Sequence, residues 1–464
     1  GAWTLNGLWH KLGLDEILKE LLTNRNHETD IERLIFSMVA NRALAPASKL
    51  AMEDWVRDDV VIPGLEKVAS HQLYRAMDVL LEVRDALEEQ VYYSVANLLN
   101  LEVDLIYFDT TSSYFEVEPH EAPDGEHLRR LGYSKDHRPD LLQVVIGLAV
   151  TREGIPIRCW VWPGNTADVN VVREVKKDLN GWKLGRVISV VDRGFSSEDN
   201  LRYLQRAGGH YIAGERMRSG KPETEEALAR KGRYHTIRDN LKAKEIIVGD
   251  GEARKRFVLV YNPQEAEKER KHRETIIEGL TQELESLKQL PDKQHTKAVC
   301  DLRSHKFYGR YLRQLKDGRL KLNKQAIRDA ERYDGKYLIR TSDDTLSVED
   351  IALGYKQLIQ VASSFRELKS TLTLRPMYHR LEDRIQSHIL LNWLALLLIR
   401  VAEFETKQTW RNLRKTLEQI HLVRYSSKNG SFDQRTELTN EQRQILDTLG
   451  LKAPSRIFDI QSKA

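Results

Sequence analysis

The 464-residue chain carries 73 Lys and Arg against 69 Asp and Glu, a net charge of +4, with 41% hydrophobic and 31% charged residues. That length suffices for two or three domains with sizeable cores, and a balance so mildly basic does not by itself argue for nucleic acid. Its two cysteines, Cys159 and Cys300, form no CxxC pair, which argues against a zinc site or disulfide framework and points to a reducing interior.

Residues 1–100 read as helical, and "HETDIERLIFSMVANRAL" and "SHQLYRAMDVLLEVRDALEEQVYYSVANLL" repeat apolar residues at three-to-four spacing. Their short connections suit a DNA-reading helix-turn-helix or dimer contacts, and ordinary helix packing gives the same pattern. The first residues, "GAWTLNGLWHKLGL", have no signal-peptide layout and no initiating Met, so the chain is expected to be cytoplasmic and truncated or processed at its start.

The period then changes. "VDLIYFDTT" is a β-branched and aromatic run ending in an acid, and "LLQVVIGLAVTREGIPIRCWVWPGN" reads as two strands joined by a turn. "DVNVVREVKKDLN" is an amphipathic helix, "RVISVVDRG" a buried-type strand, "SSEDNLRYLQRAG" a helix capped by Ser and closed by Gly, and "HYIAGER" a further strand. Residues 101–215 thus predict the first part of an α/β core with a mixed sheet flanked by helices.

Residues 216–334 differ again. Short strands precede "QEAEKERKHRETIIEGLTQELESLKQL", a charged helix that forms either a coiled-coil arm or a hairpin packed on itself. This stretch reads as a β-rich domain inserted into the core, whose second part is placed at 335–400. Within that part, "YKQLIQVASSFRELKS" reads as one helix with Tyr355, Leu358, Ala362, Arg366 and Lys369 along a single stripe. The apolar run Ile389–Ile399 is too short to span a bilayer and reads as a buried helix. Residues 401–464 are expected to be helical and basic.

Two acids stand out by position: Asp109 ends "LIYFDTT" and Asp192 ends "VISVVDRGF", each where a buried strand gives way to polar residues. A lone Asp there is usually a turn former or helix cap. Two such carboxylates on adjacent strands suit Mg²⁺, and a pair of Mg²⁺ ions suits attack on a phosphodiester. Two carboxylates alone make a poor cage, so a third acid is expected.

These blocks resemble the DDE transposases of bacterial insertion sequences, in the insertion-sequence-four-like branch, over most of the chain. "YFDTT" resembles that family's first-aspartate motif and "VVDRGF" its second, and "GYSKDHRPDLLQVVIGLAVTREGIPI" with "PGNTAD" resembles the segment between them. The family's third block is a helix bearing Tyr-x2-Arg-x3-Glu-x6-Lys. Tyr355 and Lys369 match it, Leu358 stands at the Arg position, and Ala362 stands at the Glu position, while "FRELKS", "LRPMYH" and "RIQSHI" match around them. Neither Glu367, well round the helix from the Tyr355 stripe, nor Glu349 replaces that acid. Ala362 is either a small residue at the edge of a buried face or a glutamate lost or deliberately replaced.

The resemblance implies a ribonuclease-H-like catalytic core, Asp109 bridging two Mg²⁺ ions (Mn²⁺ able to substitute), Asp192 holding one, and an acid at position 362 holding the other. It implies a homodimer acting on transposon ends and target DNA, with no membrane and no small-molecule cofactor. Tyr355, Arg366, Lys369 and Arg193 are expected near the DNA, as are His137 and Arg138 in the basic loop "SKDHRPD", where a solvated loop is an equal reading. Some relatives flip a base onto an aromatic ring, a role open to Trp162, although Trp160 and Trp162 on one strand face also read as core. Thr110 and Thr111 either fix Asp109 or reflect β-propensity alone. "EKERKHR", "SHKFYGRYLRQLKDGRLK" and "TWRNLRKTLEQ" are candidate DNA tracks.

Overall fold

The computed structural model describes residues 1–23, 30–101, 104–116, 127–182, 187–427 and 430–462. The chain divides into two compact units, one formed by Gly1–Gly209 with Gln357–Ala464 and the other by His210–Lys356.

The first unit is built on β1 (Leu105–Tyr114), β2 (Gln143–Val150), β3 (Pro156–Pro163) and β4 (Ile188–Val191), in the order β3-β2-β1-β4. β2 is antiparallel to both β1 and β3, whereas β4 runs parallel to β1. A tight turn suffices for the β2–β3 hairpin, and Gly154 (φ 82°) supplies its left-handed backbone. The helix Asp168–Gly181 lies on the chain between β3 and β4. Such a mixed sheet flanked by helices is the α/β core that the sequence predicts.

Burial explains why β2 reads as an unbroken apolar run: all eight of its residues are buried. On this sheet Phe108 meets Trp160 and Phe195 edge-on, and Trp160 stacks on Trp162. A Cβ at Gly147 would lie 2.5 Å from the Trp162 ring, so the glycine makes room for the indole. The helix Ile359–Ser370 packs on β1 and β2. The helix Glu382–Thr406 is longer than the apolar run that announced it and is apolar enough to cross a membrane by length and composition, yet 89% of its most apolar window is buried inside the protein. It is the core helix against which Ile31–Leu44 and Ser70–Glu82 pack.

The second unit contains β5 (His210–Glu215), β6 (His235–Arg238), β7 (Leu241–Val248), β8 (Lys255–Tyr261), β9 (Leu312–Gln314), β10 (Leu320–Leu322) and β11 (Lys336–Thr341). β11 pairs antiparallel with both β5 and β8, β7 pairs with β8, and β6 with β7. The charged helix Pro263–Leu287 is followed by Asp292–Ser304, and Ile276, Leu280 and Leu287 form one cluster with Val299 and Leu302. The two helices therefore form a hairpin packed on itself.

Two expectations need correction. The stretch Tyr355–Ser370 is not one helix: Val348–Lys356 ends, residues 357–358 turn, and Ile359–Ser370 begins. The Gln360 amide donates to the Gln357 carbonyl, a tighter bond than the helical one, and the Gln357 side chain accepts from the Tyr107 hydroxyl at 2.8 Å. The C-terminal region is not wholly helical either. After Trp410–Leu417, β12 (Leu422–Ser427), β13 (Gly430–Arg435) and β14 (Ile457–Ser462) form an antiparallel sheet. Tyr425 stacks on Phe432 across β12 and β13, the kind of aromatic cross-strand pair that favours strand over helix.

Candidate active site

The β1–β4 register aligns Phe108 with Val191, so the next residues, Asp109 and Asp192, stand side by side at neighbouring strand positions about 5 Å apart. Asp109 ends the apolar half of β1 and keeps 33% of its side chain exposed. Burial pushes its carboxyl up to about 6; Lys135 and the Thr110 amide oppose that rise, and Asp192 and Asp168 add to it. The Thr110 amide donates to Asp109 at 2.7 Å, so the first threonine does fix the acid, through its backbone.

The Thr110 hydroxyl is engaged with Asp168, at the first turn of the helix Asp168–Gly181. Lys135 Nζ ties these groups together. It donates to the Thr110 hydroxyl at 2.6 Å and to the Thr110 carbonyl at 2.8 Å, lies 3.1 Å from Asp168, and stands 3.9 Å from Asp109. Asp168 also borders the second motif, since a Cβ at Gly194 would lie 3.5 Å from its carboxylate. Asn200 clamps the two segments by donating to the Val169 and Phe195 carbonyls.

Sequence reasoning passed over both Asp168 and Lys135. An acid in a helical first turn is what the helix dipole favours anywhere, so Asp168 carried no distinguishing signal. Lys135 lay beside His137 and Arg138, which drew attention as the more recognisable DNA contacts.

The neighbouring Asp136 holds the helix Ile359–Ser370. Lys369 donates to it at 2.7 Å, and Arg375 pairs with the same oxygen. Burial holds the Lys369 ammonium below its ordinary range, and Asp136 counters that effect. Val361, Ser364, Phe365 and Leu368 form the helix's buried side, while Ala362 and Arg366 are exposed. The stripe that stays on one helix is therefore Ala362, Arg366 and Lys369.

Tyr355 belongs to the other unit, where it stacks on Tyr337 at 5.7 Å. Arg193 is exposed in the turn after β4. His137 is exposed with a left-handed backbone (φ 59°), and Arg138 pairs with Asp140 at 2.8 Å while lying over the Tyr114 ring. Trp162 is buried, stacked on Trp160 and donating to Glu174 at 2.8 Å, so a base reaching its ring would first have to open this face of the sheet.

Among the described residues, no group of three or more His, Cys, Asp or Glu side chains is arranged to hold a metal ion. Asp109 and Asp192 suit one oxygen-seeking divalent ion: two adjacent carboxylates, one with its charge disfavoured, gain from a shared cation. A second ion lacks the acid that position 362 would supply.

The family model described as "Transposase DDE domain" matches residues 112–398. The chain belongs to this family. The match spans more than half of the chain and begins three residues after Asp109. No curated protein matches the chain. Among solved structures, it is similar to a piggyBac transposase in a synaptic complex with hairpin DNA, at 11% identity and a TM-score of 0.41, over 90% of this chain and 80% of that one.

Proposed function

We propose that this DDE-family protein descends from an insertion-sequence-four-like transposase that binds the terminal inverted repeats of its element, cleaves there and joins the freed 3′-hydroxyl to target DNA. The observation that carries the reading is the side-by-side placement of Asp109 and Asp192, inside or bordering the family match. In this reading the two carboxylates hold Mg²⁺, or Mn²⁺ in its place, and the ion would activate the attacking oxygen and stabilise the leaving one. Lys135 and Thr110 keep Asp109 and Asp168 in place, while Asp136 anchors the helix whose exposed face carries position 362. Arg366, Arg193, His137 and Arg138 contact phosphates of the bound strand, and Lys369 lends positive charge from its pair with Asp136. The protein acts as a homodimer on paired ends in a bacterial cytoplasm.

Ala362 supports a narrower version: the chain as it stands binds ends and cuts them poorly. The exposure of Ala362 means that a glutamate there meets no buried neighbour. The joining step is tested by mixing the Ala362→Glu chain with pre-cleaved end DNA, a target plasmid and Mg²⁺. Joined products support a transposase. Cleavage without joining would make it an endonuclease, and neither reaction would favour a DNA-binding derivative.

A further inference from the structure

Away from the carboxylates, the first unit buries a set of basic groups that has no acid. Arg42, near the end of the helix Ile31–Leu44, is 5% exposed, and Lys49, in the loop that follows, is 3% exposed. His388, in the core helix, is also buried, and its ring lies 5.1 Å from that of the half-buried His379. Arg42 and Lys49 act electrostatically on both histidines, and Arg42 acts on Lys49.

The polar atoms here are incompletely used. The Arg42 guanidinium reaches the Ala47 carbonyl and Asn41, yet its Nε has no partner. Among the described residues, Lys49 makes no ion pair or side-chain hydrogen bond, and His388 Nδ1 and Asn392 Oδ1 are orphaned. Nearby charges do not compensate: Arg384 adds positive potential at His379 and pairs with Asp78, and Glu382 is engaged with His127 and the Leu128 amide. Burial and mutual repulsion drive the Lys49 ammonium down to about 7 and His379 to about 4. Uncompensated cations are expensive to bury, so a cluster of this composition is arranged for an anion that arrives from outside.

We propose that Arg42, Lys49 and His379 form a site for one phosphate group of bound DNA, with His388 and Asn392 behind it. A phosphate offers several acceptor oxygens, which suits convergent guanidinium, ammonium and imidazole donors. The way in runs past His379, whose chain neighbour Tyr378 is 74% exposed, and past Leu50, which follows Lys49 and is 69% exposed. The assignment to DNA rests on the transposase reading; the anion site does not.

The test uses the full chain and its Lys49→Met variant, with His379→Gln as a second variant. Melting is followed in inorganic phosphate and in chloride at equal ionic strength, and duplex binding is titrated over a salt series. The wild-type chain should melt higher in phosphate. Lys49→Met, relieved of an unpaired cation, should melt no lower than wild type in chloride, lose the phosphate response, and flatten the slope of log K against log salt by about 0.9. His379→Gln should reduce the phosphate response. A wild-type melt indifferent to phosphate overturns the site. A phosphate response lost in Lys49→Met with an unchanged salt slope overturns the DNA assignment. A wild-type chain that binds no duplex overturns the transposase reading, and the phosphate response then decides the anion site alone.

Discussion

Asp109→Asn removes a charge that the folded chain holds at a disadvantage. The Asp109 carboxyl rises from 3.8 to about 6 on folding, driven first by burial and then by its acidic neighbours. At 1.36 kcal/mol per pH unit the gap corresponds to about 3 kcal/mol. The side chain keeps 33% of its exposure, and solvent screening reduces the figure to about 1–2 kcal/mol. An acid with a raised native pKa binds more protons folded than unfolded between pH 4 and 6, so stability falls as pH rises through that window. The asparagine does not titrate. In chemical denaturation without divalent metal, Asp109→Asn should therefore be more stable than wild type by about 1–2 kcal/mol at pH 8. The advantage should shrink progressively at pH 5 and vanish towards pH 4. Mg²⁺ should then stabilise the wild-type chain at pH 8 more than the variant. A variant that is less stable than wild type at pH 8, or whose advantage is the same at pH 8 and pH 5, would refute the reasoning.

Other substitutions probe the supports of the site. Lys135→Met removes the donor to Thr110 and the cation beside Asp168, and should lower stability by about 1–3 kcal/mol at pH 8 in the same denaturation assay. Asp136→Ala strands the Lys369 ammonium, 13% exposed, together with Arg375, and should cost about 3 kcal/mol. A loss below about 0.5 kcal/mol would mean that the pair is not formed in solution. Gly147→Ala drives a methyl group into the Trp162 ring and should lower stability by about 1–3 kcal/mol, with a change in tryptophan fluorescence as the indole shifts.

The strands and their acids were legible because burial writes them into composition. β1, β2 and β4 are apolar runs, and Asp109 and Asp192 stand where those runs stop. What pairing adds is register: only the alignment of Phe108 with Val191 puts the two acids side by side. Helical periodicity misled at Tyr355–Ser370, because a stripe at helical spacing continues through a two-residue turn that its apolar pattern does not register. It misled again at β12, where Arg and Lys on a preceding helix made the following "HLVRY" look like more of the same. Asp168 and Lys135 stayed hidden for a different reason. Their role comes from long-range convergence on Thr110, and neither residue type departs from what its own segment would carry anyway. The cationic cluster of Arg42, Lys49 and His379 was equally silent, since its members are far apart along the chain.

The central claim is that a metal-dependent phosphodiester site on Asp109 and Asp192 lacks only the acid at position 362. The measurement is cleavage of DNA carrying the element's end sequence, in Mg²⁺ or Mn²⁺, by the present chain, by Ala362→Glu, and by Ala362→Glu combined with Asp109→Ala. The account predicts that all three bind the ends and that Ala362→Glu alone cuts them efficiently. An Ala362→Glu chain that binds the ends and leaves them intact, or a double variant that still cuts, would contradict it.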